Sequence, residues 1–278
     1  MPIVYKKTNS DWGVTALYEG SQLVFSNAVK EPAGILASFF KKNSQKNKNN
    51  IIRQIDLYGL FSPSAKKAWA NAYKLAGQRK REICVEDIFL ALLKEPSVKN
   101  LLVRMKVRRE AAETLLNNYL KLKSPSGQET VKIIPFEAFT LSLKLHNHKI
   151  GSLMLLGALL KAAPQDNILQ AIFSNIGLTL DKLEIFAVWI LNLNYEFPKK
   201  SESSKILYCL RQAQGLEEHF GYFFEYPAIE AAVELSQGQT LTDLQHKKAL
   251  QYLVKAAGVA KQKGVKVISA NFVRHAVV

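Results

Sequence analysis

The chain has 278 residues, room for one large or two ordinary domains, and 48% of them are hydrophobic, which excludes a disordered composition. Its 38 Lys and Arg against 23 Asp and Glu leave a formal charge of +15, a field that favours acidic partners such as nucleic acid, acidic protein faces or anionic lipid. The longest apolar stretches, residues 153–160 and 185–193, are too short to cross a bilayer, and the first residues lack the apolar core and cleavage site of a signal peptide. Cys84 and Cys209, without CxxC spacing, suit a reducing interior, so a soluble cytoplasmic protein that engages no membrane is expected.

Residues 1–57 form an extension unlike the rest. Ile3 to Tyr5, Val14 to Tyr18 and Gln22 to Phe25 are short β-prone runs broken by Gly13 and Gly20, a pattern that suits a small hairpin. Ile35 to Phe40 suits a helical turn before a solvated Lys/Asn linker at 41–50, a basic run without interleaved aromatics.

Helical periodicity begins at Phe61. Ser62-Pro63 reads as an N-cap followed by proline at the first helical position, and Ala65, Ala68, Trp69, Ala72, Tyr73 and Ala76 recur at helical spacing up to Gly77. Val85 to Leu93 predicts a second helix stopped by Pro96, Val98 to Met105 a third and Arg109 to Leu122 a fourth; 124–128 is a linker. The order then repeats at an offset of 67 residues: Ala91-Leu92-Leu93-Lys94 recurs as Ala158-Leu159-Leu160-Lys161, and Asn100-Leu101-Leu102 as Asn167-Ile168-Leu169. The second set of helices is predicted at Pro135 to Leu145, Ser152 to Ala162, Asn167 to Ile176 and Leu180 to Leu193. The helix from Ser152 is apolar nearly all round and should be enclosed by neighbours.

After a boundary at 194–204, helices are predicted at Lys205 to His219, Pro227 to Leu235 and Gln245 to Lys261. A short β run at 265–268 and a last helix from Ala270 to Ala276 capped by Ser269 follow. The expected division is therefore 1–57 as extension and linker, 58–195 as a doubled helical domain, and 205–278 as a helical domain.

Isolated polar groups offer little chemistry. His146-Asn147-His148 presents two imidazoles with no nearby acid, and residues two apart on a helix diverge, so a surface loop is a better reading than a metal site. Glu217-Glu218-His219 reads as a solvated helix end rather than an acid–base pair. Arg79-Lys80-Arg81 and Arg108-Arg109 sit at helix ends, where cations suit the backbone dipole. Trp69 and Trp189 lie on apolar faces and read as core; Trp12 has no place. No catalytic, cofactor-binding or metal-ligating set emerges, and a non-enzymatic chain is expected.

Residues 58–193 resemble the amino-terminal repeats of the Clp family of ring-forming protein unfoldases. Phe61-Ser62 through Ala76 matches the family's first helix, and Val85-Glu86-Asp87-Ile88-Phe89-Leu90-Ala91-Leu92 its second, with Asp87 in place of the usual His. In the second copy Ile150-Gly151-Ser152 fits, while Leu153 replaces the Glu and Met154 the His. Glu225 to Ser236, followed by Lys248-Ala249-Leu250 and Val265 to Val273, resembles the helical lid that follows the first ATPase core in these unfoldases. The core itself has no counterpart: none of the 14 glycines stands in a GxxxxGK[ST] phosphate loop.

The resemblance implies a mainly α fold: two tandem pseudo-symmetric four-helix repeats, a small extension with a hairpin, and a C-terminal lid-like helical domain without the motor. It implies protein substrates or adaptors as partners, with a Clp unfoldase or protease ring as a further candidate, and a role as adaptor or accessory subunit in protein quality control or degradation. In members that bind phosphorylated arginine, the position of Glu86 meets the guanidinium, which makes Glu86 the candidate ligand-binding residue for a phosphoarginine-like group or a peptide. Its plainer reading is a first-turn acid beside a helix dipole. The other readings are a basic helical nucleic-acid-binding protein and a degenerate remnant of a Clp ATPase.

Overall fold

The computed structural model describes residues 4–7, 14–17, 57–122, 128–163, 168–199, 201–237 and 242–277. Among these the chain is mainly helical. Strands β1 (Val4–Lys7) and β2 (Val14–Leu17) pair antiparallel, Val4 opposite Leu17 and Lys7 opposite Val14, which is the hairpin expected in the extension. The runs at 22–25 and 35–40, and Trp12, lie outside the described residues. Eight helices follow in two sets of four. The first set is α1 (Pro63–Gln78), α2 (Val85–Leu92), α3 (Pro96–Arg104) and α4 (Arg109–Leu122). The second is α5 (Gln128–Lys144), α6 (Ser152–Ala162), α7 (Ile168–Asn175) and α8 (Leu180–Ile190). The first residues of α2 and α6 stand 67 apart, the offset of the sequence repeat.

The remainder comprises α9 (Glu202–Phe220), β3 (Phe223–Phe224), α10 (Tyr226–Ser236), α11 (Thr242–Gln262), β4 (Val267–Ile268) and α12 (Ala270–Val277), with β3 and β4 paired in parallel. No helix among the described residues is long and apolar enough to cross a membrane.

By compactness the chain divides into two units that interleave along the sequence: residues 1–95 with 113–171, and residues 96–112 with 172–278. In the first unit α2 packs on α1, α6 on α5, and α2 also touches α5 and α6. The lead-ins to α1 and α6 are joined by backbone: Ile150 N–H donates to the Leu60 carbonyl and Ser62 N–H to the Ile150 carbonyl, each at 2.9 Å. Ile88, Phe89, Leu92, Leu155, Leu156 and Leu159, the six positions whose spacing faces them inward, are all buried. Each such side chain contributes about 1.5–3 kcal/mol on burial. Phe61 and Trp69 meet edge to face at 5.7 Å beneath α1, which Ser62 caps by accepting the Ala65 N–H.

Several helix starts lie upstream of the periodicity reading: α9 opens at Glu202 rather than Lys205, α11 at Thr242 rather than Gln245, and two more involve prolines. A helix was expected to open at Pro135, but α5 opens at Gln128 and carries Pro135 inside. An interior proline costs about 3 kcal/mol through a lost N–H and a crowded carbonyl. Val131, Ile134, Ala138, Leu141 and Leu145 lie buried on both sides of it, and their burial outweighs that cost. Pro96, read as the stop of α2, is instead the first residue of α3, where its missing N–H has no helical acceptor to lose.

In the second unit Thr179 caps α8 by accepting the Lys182 N–H, and Ser201 caps α9 in the same way through Ser204. Gly221, at φ +69°, turns the chain out of α9 in the left-handed conformation that favours glycine. Phe224, Tyr226, Ile229, Leu253, Ala256 and Ile268 are buried around α10, α11 and the β3–β4 pair.

Candidate functional site

Glu86 and Asp87 occupy the first turn of α2, where the helix dipole favours acids. Neither touches solvent: both are 0% exposed, and a buried carboxylate needs partners to offset its lost hydration. Asp87 finds several. Arg81 donates to both of its oxygens, Nη1 to Oδ2 at 2.6 Å and Nη2 to Oδ1 at 2.9 Å. Arg79 Nη1 donates to Oδ1 at 2.7 Å, and its Nη2 to Asn117 Oδ1 at 2.9 Å. The Cys84 N–H and thiol both donate to Asp87 Oδ2 at 3.2 Å, the amide bond closing the helix start. Arg79 and Arg81 are thus more than cations at a helix end: their guanidinium groups grip the carboxylate that stands where the resemblance puts a histidine. Burial is the largest single influence on the Arg81 pKa and lowers it, but the Asp87 hydrogen bond together with the charges and contacts of Cys84 and Asp87 leaves the net shift upward.

Glu86 lies against the same cluster. Burial pushes the Cys84 thiol pKa up, and a hydrogen bond with Glu86 and the charges of Glu86 and Asp87 push it further. That keeps Cys84 a neutral thiol and a poor nucleophile. Glu86 is thus a first-turn acid, as its plainer reading has it, and an enclosed one.

The other copy of this helix start is built differently. Gly151, Ser152, Leu153 and Met154 occupy the places of Cys84, Val85, Glu86 and Asp87, and Leu153 and Met154 are buried with no charge to satisfy.

A second polar knot lies in the unit of residues 96–112 and 172–278. Arg104, at the last turn of α3, is held between the rings of Trp189 and Phe223, 4.7 and 4.5 Å from their centroids. Its Nη1 donates to Glu217 Oε1 at 2.6 Å and to the Phe224 carbonyl at 2.9 Å, and its Nη2 donates to Glu217 Oε2. Glu217 Oε1 also accepts the Phe224 N–H at 2.7 Å. Two readings of the sequence are corrected here. Glu217 is no solvated helix end but the bidentate partner of Arg104. Trp189 is no core residue: it is half-buried under the guanidinium, with its Nε1 donating to Gln214 Oε1 at 3.2 Å. The signal missed in the sequence was a long-range one, since 113 residues separate Arg104 from Glu217.

His146 and His148 lie in the turn after α5, His146 at φ +55°, and Ser142 Oγ donates to the carbonyls of Asn147 and Lys149 across that loop. No cluster of three or more metal-ligating side chains occurs among the described residues.

Among known proteins, no family model and no curated relative matches the chain. Among solved structures it is similar to the crystal structure of the Hsp104 N-terminal domain from Candida albicans. The identity is 18% and the TM-score 0.40, over 47% of this chain and 91% of that one.

Proposed function

We propose that this chain is a non-enzymatic, cytoplasmic protein-interaction module, acting as an adaptor or accessory subunit in protein quality control or degradation. The observation that supports this most is the doubling itself. Two copies of one helical unit open their second helices 67 residues apart and share a buried core, joined through the backbone of Phe61 and Ile150. Repetition of this kind extends a rigid surface of helices, the geometry that receives other proteins. The resemblance of the Phe61–Ala76 and Val85–Leu92 motifs to Clp amino-terminal repeats supports protein substrates, adaptors or a Clp ring as partners. The stretch from 205 to the last helix is proposed as a lid-like domain on the strength of its Glu225 to Ser236 motif.

Glu86 belongs to the proposal as the group that meets a guanidinium or phosphoarginine-like ligand. Because it is enclosed, a ligand reaches it only when the side chains around it move aside, and that displacement subtracts from the affinity. The test has two parts. Fluorescent unfolded casein should bind the full chain saturably, and affinity capture from extract should retain a ring unfoldase, a protease ring or its clients; failure of both removes the module reading. In calorimetry phosphoarginine should bind with a stoichiometry of one, because Leu153 in the second copy has no charge to offer, and Glu86→Gln should abolish the heat. Two equivalent sites, or an unchanged isotherm in that variant, would take Glu86 out of the site.

A further inference from the structure

The outer face of α11 carries a cationic stripe that the cluster around Glu86 leaves unused. Residues 244–278 contain seven Lys or Arg and no Asp or Glu, in a chain that has 23 acids elsewhere. The helix sorts them cleanly. Ala249, Tyr252, Leu253, Ala256, Ala257 and Ala260 are buried at the spacing of one face. Lys247, Gln251, Val254, Lys255, Gly258 and Lys261 are exposed on the other. Lys263 and Lys266, in the loop beyond, continue the exposed charge. The helix dipole favours cations in the last turn, which accounts for Lys261 but not for Lys247 or Lys255, the latter two turns earlier.

The middle of the stripe is not polar. Val254 is 50% exposed, and Gly258, one turn on, leaves open space where a side chain would stand. From Lys247 to Lys261 the face runs about 21 Å, the length of a four-turn helix. Lysines flanking an apolar knob and a glycine gap complement a helix with an apolar seam bordered by carboxylates. A nucleic-acid backbone matches the charge but gives Val254 no apolar contact, and the exposed face of α11 has no aromatic on which a base could stack. A second copy of this chain, also at +15, is repelled. We infer that α11 docks an acidic, amphipathic helical segment of a partner protein. The inference rests on the interaction-module reading and gives it a partner chemistry.

The test uses the full chain and a fluorescein-labelled helical peptide of about 16 residues, Glu on both sides of a Leu seam, matched to the stripe length. Its Glu→Gln counterpart and a duplex DNA are the comparison ligands. The acidic peptide should bind and the Gln peptide should not. Lys247→Glu/Lys255→Glu/Lys261→Glu should weaken the acidic peptide by about tenfold or more, and binding should fall as salt rises from about 50 to about 200 mM. Val254→Asp should weaken the peptide several-fold and leave any DNA binding as it was. Preference for DNA at about 150 mM salt overturns the inference, as does unchanged affinity in the triple variant. A salt-independent affinity overturns it without need of any variant. Casein binding retained in a wild type that ignores the peptide removes the stripe and leaves the module reading standing. Loss of casein binding and of extract capture alongside intact peptide binding does the reverse.

Discussion

The starts of α2 and α6 are the same place in two copies of one helical unit, and they are held by opposite chemistry. At α6 the two positions after Ser152 are Leu153 and Met154, buried and apolar, needing only neighbours of the right shape. At α2 they are Glu86 and Asp87, equally buried and charged, and the chain supplies Arg79, Arg81, Asn117 and the Cys84 amide and thiol around them. One backbone position can thus be stabilised by burial alone or by a closed polar network, but the network fails as a whole if one member is lost.

The largest effect expected from breaking this contrast is at Asp87. Asp87→Met, which copies the second repeat into the first, should cost about 3–5 kcal/mol, because two guanidinium groups lose their shared carboxylate. Replacing Arg79, Arg81 and Asp87 together by Met should recover most of that loss, since an apolar set avoids the desolvation of all three charges. Urea unfolding of the single and triple variants reads the coupling. Equal destabilisation by both would show that the ion cluster is not what holds the α2 start.

A smaller difference is expected one residue earlier. Leu153→Ala should cost about 2–5 kcal/mol by leaving a cavity, and Glu86→Ala about 1–3 kcal/mol by taking a hydrogen-bond partner from a buried group. An exposed first-turn acid would be worth only about 0.3–1 kcal/mol. Thermal or urea unfolding that gives the lower figure would place Glu86 at the surface.

Within the first pH unit above about 8.5, the smallest effect is that of alkaline pH on each thiol. Burial pushes the Cys209 pKa up to about 12, and the Cys84 pKa is raised as well. An unfolded thiol ionises near 8.5, so above that pH the unfolded chain has released protons that the folded chain still holds. Stability should therefore be full below about pH 8.5 and fall as pH rises towards 12, by up to about 1.4 kcal/mol per unit for each thiol. Cys209→Ala should flatten the slope by one proton. At pH 8 both native thiols should resist a disulfide reagent and react once unfolded; a native thiol that reacts at once would mark an accessible site.

Much of the framework was legible. The 3.6-residue spacing of Ala65, Ala68, Trp69, Ala72 and Ala76, with Ser62-Pro63 before it, located α1 and its buried face, and Ser152 to Ala162 was read to the residue. Helical spacing within the 67-residue repeat faces Ile88 and Leu155 inward, and both are buried. Pro135 carries the local backbone signal of a helix start, yet it lies inside α5, because side-chain burial on both sides of the ring decides there. The candidate site was legible as residue types at one position, Glu86 and Asp87, but not as an environment.

Periodicity, caps and repetition act over a few residues, so the sequence by itself determined the helices, their order, their buried faces and the doubling of the unit. The partners of buried charge depend on which distant segments the fold brings together. Only the tertiary structure decided that Arg79 and Arg81 close on Asp87, that Glu86 is enclosed beside Cys84, and that Arg104 finds Glu217 across 113 residues between two aromatic rings. Charge shows in a sequence as a count, but the cost of burying it and the groups that offset that cost exist only in three dimensions.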